Sequence, residues 1–347
     1  MVFRTIVDIP DPGFSIGPCE EMLFVGSCFA DSIGARFREE GFPVTVNPFG
    51  TMYNPASILH TIEKLFTVDS LSSCVPTVAS GKAERTDDYS DGSEGLASKS
   101  SVNCKPSAVN YKPSTVNCKP STVNYKPVFL TLGTNHVYRL KETGEIVDNC
   151  EKRPQSLFNE EELTVDACAD YLQKAIAILR QKNPEVRIVL TVSPIRYRKY
   201  GYHGSQLSKA TLLLAIEKLF TVYSLRFTDE YSDGSEGLAS KSTVNCKPST
   251  VNYFPAYEIV NDELRDYRFY ASDMLHPSQQ AVDYIWERLV ETYFSRESKA
   301  FLEEWRPLKQ ALGHKPFNPN SEAYKSLMDK TMLKMQELRE KYPTFAL

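Results

Sequence analysis

The stretch Met22–Phe37, MLFVGSCFADSIGARF, decides how this chain is read. Met22–Val25 is a short apolar run with strand character. Gly26 permits a sharp turn, and an amphipathic helix follows over about Ala30–Glu40. In a parallel α/β sheet the turn after the first strand lies at the carboxyl edge, where ligands meet the fold. Ser27 would stand there at the strand tip, its hydroxyl free to face a cleft. The neighbouring backbone N–H groups would point outward at a helix N-terminus, a site suited to negative charge. Serine is also a preferred helix cap, and spacing alone leaves both roles open.

The other end of the chain supplies the complement. Asp273-Met274-Leu275-His276-Pro277 sets a carboxylate three residues before an imidazole. That separation lets the carboxylate accept from the ring Nδ1–H and hold the tautomer whose Nε2 takes a proton from a hydroxyl. Together these residues predict an acyl-transfer site, with Ser27 as nucleophile, His276 as base and Asp273 as the orienting carboxylate. Gly-Ser-Cys-Phe is not the Gly-x-Ser-x-Gly elbow, which argues against an α/β-hydrolase. The backbone N–H of Ser27 is the first candidate for an oxyanion donor.

Four segments resemble the GSCFA-domain family of bacteria: GSCFA at Gly26–Ala30, NPFGTMYNPASI at Asn47–Ile58, TVSPIRYRKYG at Thr191–Gly201, and the run Phe254–Ser278. The family is placed with the SGNH (GDSL-like) hydrolases. The resemblance implies a three-layer, flavodoxin-like α/β fold and hydrolysis of an ester-linked acyl group on a small molecule or carbohydrate. It also implies two more oxyanion donors. Gly50, in NPFG, matches the position where SGNH enzymes offer a glycine N–H. Asn135, in Gly133-Thr134-Asn135, matches the superfamily's Gly-x-Asn block, although His136 replaces the usual following aspartate. The other readings are a non-catalytic binding or scaffold protein that keeps the fold, and an acyltransferase using the same triad.

Composition sets the class. The chain has 347 residues, 41% hydrophobic and 24% charged, which suits a globular protein with a full core. A net charge of −4 gives no reason to expect nucleic acid or an anionic membrane as partner. No apolar run approaches the roughly 18–20 residues that cross a bilayer, and no signal peptide is evident at the start, so a cytoplasmic location is expected. Cys74, Cys104, Cys118 and Cys246 fall in repetitive segments, while Cys19, Cys28, Cys150 and Cys168 are scattered. Free thiols are expected, with no metal site and no cofactor. Cys28 is an alternative nucleophile with its thiol activated by the helix N-terminus. The sequence favours the core for its side chain.

Two segments break the α/β pattern. The unit Ser-x-Val-Asn-Cys/Tyr-Lys-Pro recurs four times over Ser100–Pro127, again at Ser242–Pro248, and at Ser249–Pro255 with Phe254 in place of lysine. Tyr89–Ser100 is repeated without change as Tyr231–Ser242. Proline in every unit rules out a coiled coil. Residues 69–127 and 223–252 therefore read as low-complexity inserts, open to proteases.

The rest alternates. Strands are expected at Met22–Val25, Pro43–Val46, Val128–Leu132, Arg187–Val192 and near Ala256–Val260. A hairpin is expected over Val137–Val147. Helices are expected over Pro55–Phe66, Val165–Arg180, Gln206–Phe220 and Ser278–Phe294. This predicts a doubly wound, five-stranded parallel sheet ordered 2-1-3-4-5 within a domain spanning 1–312. A helical tail over 313–347 carries Met328, Met332, Leu333 and Met335, an apolar face for core packing or an oligomer contact. Arg196, Arg198, Lys199 and His203 follow the fourth strand, within reach of an anionic substrate. Asn47 and Asn54 are expected to hold the loop around Gly50.

Overall fold

The computed structural model describes residues 4–18, 20–68, 125–148, 150, 153–229 and 250–343. Most of both repetitive segments, and the expectations attached to them, lie outside these residues. Among the described residues the centre is a five-stranded, all-parallel sheet. Its strands are β1 (Met22–Gly26), β2 (Val44–Val46), β3 (Pro127–Leu132), β7 (Arg187–Val192) and β8 (Val251–Tyr253), in the spatial order β2-β1-β3-β7-β8. This is the expected 2-1-3-4-5 order once the side strands are set apart.

The central strands are apolar along their length because both faces are covered. In β1, Met22 and Phe24 point into one hydrophobic cluster and Leu23 and Val25 into the other. Helices α1 (Cys28–Glu39), α6 (Gln279–Tyr293) and α7 (Arg296–Gly313) cover the first face. There Phe24 stacks on Phe129 at 4.4 Å, and Phe37 meets Trp286 edge-on at 4.7 Å. Helices α2 (Pro55–Val68), α3 (Val165–Lys182) and α4 (Gly201–Asp229) cover the second. No helix among the described residues is long and apolar enough to cross a membrane.

The structure differs from the sequence reading at four places. The fifth strand is Val251–Tyr253 and not 256–260. Ala256–Glu258 (α5) is helical and widens into a π-turn at Ile259–Leu264. The second insert therefore cannot span 223–252, since α4 runs to Asp229 and Val251 is buried and pairs with Ile188. The cause is local: Phe254 replaces the repeat's lysine, and Val251 and Phe254 both enter the core. The first insert likewise ends before Pro127, which opens β3 opposite Arg187. Second, the hairpin β4 (His136–Leu140) and β5 (Ile146–Val147) gains a third antiparallel strand, β6 (Phe158–Glu162). Its sequence FNEEE lacks alternating hydrophobicity, because only Phe158 is buried.

Third, helix α4 starts at Gly201, five residues before the expected Gln206. Fourth, helix α8 (Glu322–Lys341) packs on α7 through Thr331, Met335 and Leu338, while Met332 and Leu333 stay exposed. Its buried face is thus rotated from the one the methionines suggest.

Gly26, at the end of β1, has φ +149°, and a Cβ there would lie 2.1 Å from the Thr131 carbonyl oxygen. No side chain fits without moving β3. Gly26→Ala is therefore expected to cost at least about 3 kcal/mol of stability by chemical denaturation. A change below ~1 kcal/mol would show that the strands part easily.

Candidate active site

The site begins at the turn after β1. The Gly26 N–H donates to Asn47 Oδ1 at 2.8 Å, and Asn47 Nδ2 donates to Asp31 Oδ1 at 2.7 Å. The Thr51 hydroxyl donates to Asp31 Oδ2 at 3.2 Å. These bonds lock the loop after β2 onto the first turn of α1. Asn54 caps α2, accepting from the Ser57 N–H at 2.9 Å. Asn47 holds the loop that carries Gly50, as expected, whereas the bonds of Asn54 go to the start of α2.

Ser27 is fully buried. Its N–H donates to the Thr131 carbonyl at 3.1 Å, and its hydroxyl accepts from the Phe29 N–H at 3.3 Å. Ser27 is the N-cap of α1, with extended backbone, and the buried phenol of Tyr197 lies beside it. Cys28 is the first residue of the helix and is half-buried.

The other half of the site is a tight turn at Ala271–His276. The Ala271 N–H donates to the His276 carbonyl at 2.7 Å, and Tyr270 bridges to Pro277. Asp273 organises the turn. Its Oδ1 accepts the Leu275 and His276 N–H groups at 2.8 and 3.0 Å, and its Oδ2 meets His276 Nδ1 at 2.6 Å. Burial opposes the charge on Asp273, but these three donors win and hold its carboxyl below the usual range. From the loop after β7, Arg196 donates its backbone N–H to the Leu275 carbonyl and its Nη1 to the Met274 carbonyl, each at 3.1 Å.

Where these two parts meet, the ring of His276 lies beside the thiol of Cys28, near enough for each to shift the other. With Nδ1 held by Asp273, Nε2 is the nitrogen left for sulfur. The Tyr53 hydroxyl lies 3.6 Å from Cys28 Sγ. Burial pushes the Cys28 thiol up, but the bonds to His276 and then Tyr53 prevail and bring it below its ordinary value. His276 rises to about 9, chiefly through its bond to Cys28, with Asp273 adding to the effect against burial. The two shifts have the signs that a thiolate facing an imidazolium produces.

The structure therefore brings together two of the three expected triad members. Asp273 and His276 meet as expected, but the atom they face is Cys28 Sγ and not Ser27 Oγ. The core position expected for Cys28 is taken by its neighbour. Two of the expected oxyanion donors are also spent. The Ser27 N–H is bonded to Thr131, and the Gly50 N–H closes a turn onto the Asn47 carbonyl at 2.9 Å. Asn135 is buried, with one Nδ2 hydrogen donated to the Leu163 carbonyl at 2.8 Å and Oδ1 without a hydrogen-bond partner among the described residues. His136 stacks on Tyr200 at 3.6 Å, with Nδ1 3.1 Å from Glu160. Of the basic residues after β7, Arg196 is engaged with the His276 turn, and Lys199 pairs with Glu160 at 3.3 Å.

Sequence reasoning missed Tyr53 and Lys209. The ammonium of Lys209 is buried and donates to the carbonyls of Gly133 at 2.6 Å and Ser193 at 2.7 Å, joining the residues that follow β3 and β7. No sequence pattern marks either residue. Cys28 did have a signal, the preference for serine as N-cap, which puts the next residue at the helix start. Among the described residues no group of three or more histidine, cysteine or carboxylate side chains is placed to hold a metal ion.

The ion pair predicts a pH profile. Wild-type Cys28 should already react with iodoacetamide at about pH 7, with a midpoint below the ordinary thiol value of ~8.5. His276→Ala should slow that reaction about tenfold or more at the same pH and raise its midpoint toward the ordinary value. Peptide mapping distinguishes Cys28 from Cys168, whose thiol burial pushes up to about 12. Equal midpoints in the two proteins would dissolve the pair.

The GSCFA family model matches residues 21–289, and a second, for the C-terminal domain of GSCFA domain proteins, matches residues 305–347. No curated protein matches the chain. The first match takes in the Gly26 turn, the Asn47 loop and the Asp273–His276 turn, and covers most of the sequence. The chain belongs to the GSCFA family.

Proposed function

We propose that this chain is an acyl-transfer hydrolase acting on an ester-linked acyl group through a Cys28–His276–Asp273 triad. The observation that carries the reading is the unbroken chain of contacts from the Asp273 carboxylate through His276 to the Cys28 thiol at the start of α1. It has the nucleophile–base–orienter logic of acyl transfer, which is recognised by geometry and not by chain order. The α/β body, with its parallel order and site at the carboxyl edge, supports the three-layer SGNH-like reading of the fold. The substrate class follows the family resemblance: an acylated sugar or small ester.

The thiolate pair on sulfur forms a bond to the ester carbonyl carbon, and the C=O π pair moves onto oxygen. Collapse of that adduct expels the alcohol, which leaves with the proton from His276 Nε2. The now neutral imidazole takes a proton from water as the water oxygen attacks the thioester. The second adduct expels the thiolate and releases the acid, restoring the imidazolium. Asp273 keeps the ring in register throughout. Its bond to His276 is exposed, with both side chains above 40% accessibility. Such a pair contributes at most about 1 kcal/mol to stability. Orientation is its main contribution.

The test is acyl-enzyme formation with p-nitrophenyl acetate, read by intact mass and by release of p-nitrophenolate. Cys28→Ala should abolish both signals. Ser27→Ala should lose about 1 kcal/mol of stability through the helix cap and still acquire an acetyl group on Cys28. The assignment is wrong if Cys28→Ala turns over normally and Ser27→Ala does not.

A further inference from the structure

We propose that the Tyr53 hydroxyl is the oxyanion donor of this site, acting with the backbone N–H of Cys28. This rests on the Cys28 acyl-transfer reading and adds to it the group that takes the developing charge. Acyl transfer needs donors aimed at the carbonyl oxygen as it becomes anionic. Of the three donors suggested by the sequence, Ser27 N–H is committed to Thr131 and Gly50 N–H to Asn47, and one hydrogen of the Asn135 amide goes to Leu163. Two further groups lie next to sulfur. The Cys28 N–H is the first of helix α1 and has no acceptor within the helix. The Tyr53 hydroxyl is 3.6 Å from Sγ.

The geometry suits a transfer of charge. The oxyanion of the adduct is two bonds from sulfur. A donor 3.6 Å from sulfur can therefore reach that oxygen at the ~2.7–3.1 Å such donors require. Before attack the same hydroxyl donates to the thiolate. As the electron pair moves from sulfur through the new C–S bond to oxygen, the donor follows it with a small rotation.

Tyr53 is also held rigidly, which electrostatic stabilisation requires. Its carbonyl accepts the N–H groups of Gly133 and Thr134, both at 2.8 Å, and the preceding Met52 N–H donates to the Gly26 carbonyl at 2.9 Å. Residues 52–53 are thus laced between the ends of β1 and β3. The Tyr53 ring meets Tyr197 edge-on, with centroids 6.1 Å apart. Tyr197 in turn sits beneath the ammonium of Lys209, 4.7 Å from its ring centre.

The experiment compares two reactions of one thiol in wild type and Tyr53→Phe. Alkylation by iodoacetamide displaces iodide and builds no oxyanion on a carbonyl bound to sulfur. Acetylation by p-nitrophenyl acetate does build one. Above the thiol midpoint, Tyr53→Phe should alkylate Cys28 within about threefold of wild type, which also shows that the site is folded. Its burst of p-nitrophenolate should slow by about 10²–10³. If acetylation falls only as far as alkylation, Tyr53 merely tunes the thiolate and the proposal is overturned. If wild type alkylates but never acquires an acetyl group on Cys28, the acyl-transfer reading itself fails, and the role of Tyr53 with it.

Discussion

The close approach of Gly26 to β3 is the constraint on which the site depends. With no side chain at position 26, the end of β1 comes so near Thr131 that the Ser27 N–H reaches its carbonyl at 3.1 Å. The strand then stops, Ser27 caps the helix, and Cys28 becomes its first residue. A methyl group at position 26 would displace the turn, and with it the thiol, relative to every residue that faces it. The Asn47–Asp31 bonds brace the same turn from the β2 side. The Cys28 thiol is thus placed by backbone geometry and not by a flexible side chain.

The His276 ring is placed by a different device. One carboxylate, Asp273, satisfies two backbone N–H groups and one imidazole, so the turn and the ring orientation form together. Removing the charge would disturb both. Arg196 adds a second tie from the loop after β7, clamping the turn by two carbonyls. Its guanidinium also lies 4.2 Å from the ring centre of Tyr202 and 5.3 Å from that of Tyr270. A group that looks from sequence like a free anion binder is therefore structural. The buried Lys209 does a comparable task deeper in the fold, giving two carbonyls at the strand ends a shared donor. Burial holds its ammonium well below the ordinary lysine value. An unpaired carbonyl in that setting costs about 1–3 kcal/mol, which explains why a lysine is tolerated there.

Much of the fold was legible because parallel strands covered on both faces are written as continuous apolar runs. Met22–Val25, Val128–Leu132 and Arg187–Val192 are such runs, and their order follows from the right-handed crossover. The edge strand was not legible in this way. Val251–Tyr253 is short, lies within a low-complexity repeat, and becomes a strand through pairing with Ile188–Leu190. The polar strand β6 is likewise specified by its partner β4 and not by its own pattern. Rotation of α8 about its axis depends on which residues α7 offers it, which no single-helix pattern contains.

By itself the sequence determined the parallel α/β frame, the turn at Gly26, the pairing of Asp273 with His276 and membership of the GSCFA family. Each of these is local, or carried by contiguous motifs. Only the tertiary structure decided which of two adjacent residues faces the imidazole. A strand-to-helix turn rotates successive side chains to opposite sides, and β3 took the Ser27 side. The same packing took up the Gly50 N–H and one hydrogen of the Asn135 amide, and brought Tyr53 to the sulfur. Whether a donor is free is decided by the acceptors that long-range packing sets beside it, and no spacing of residues along the chain records that.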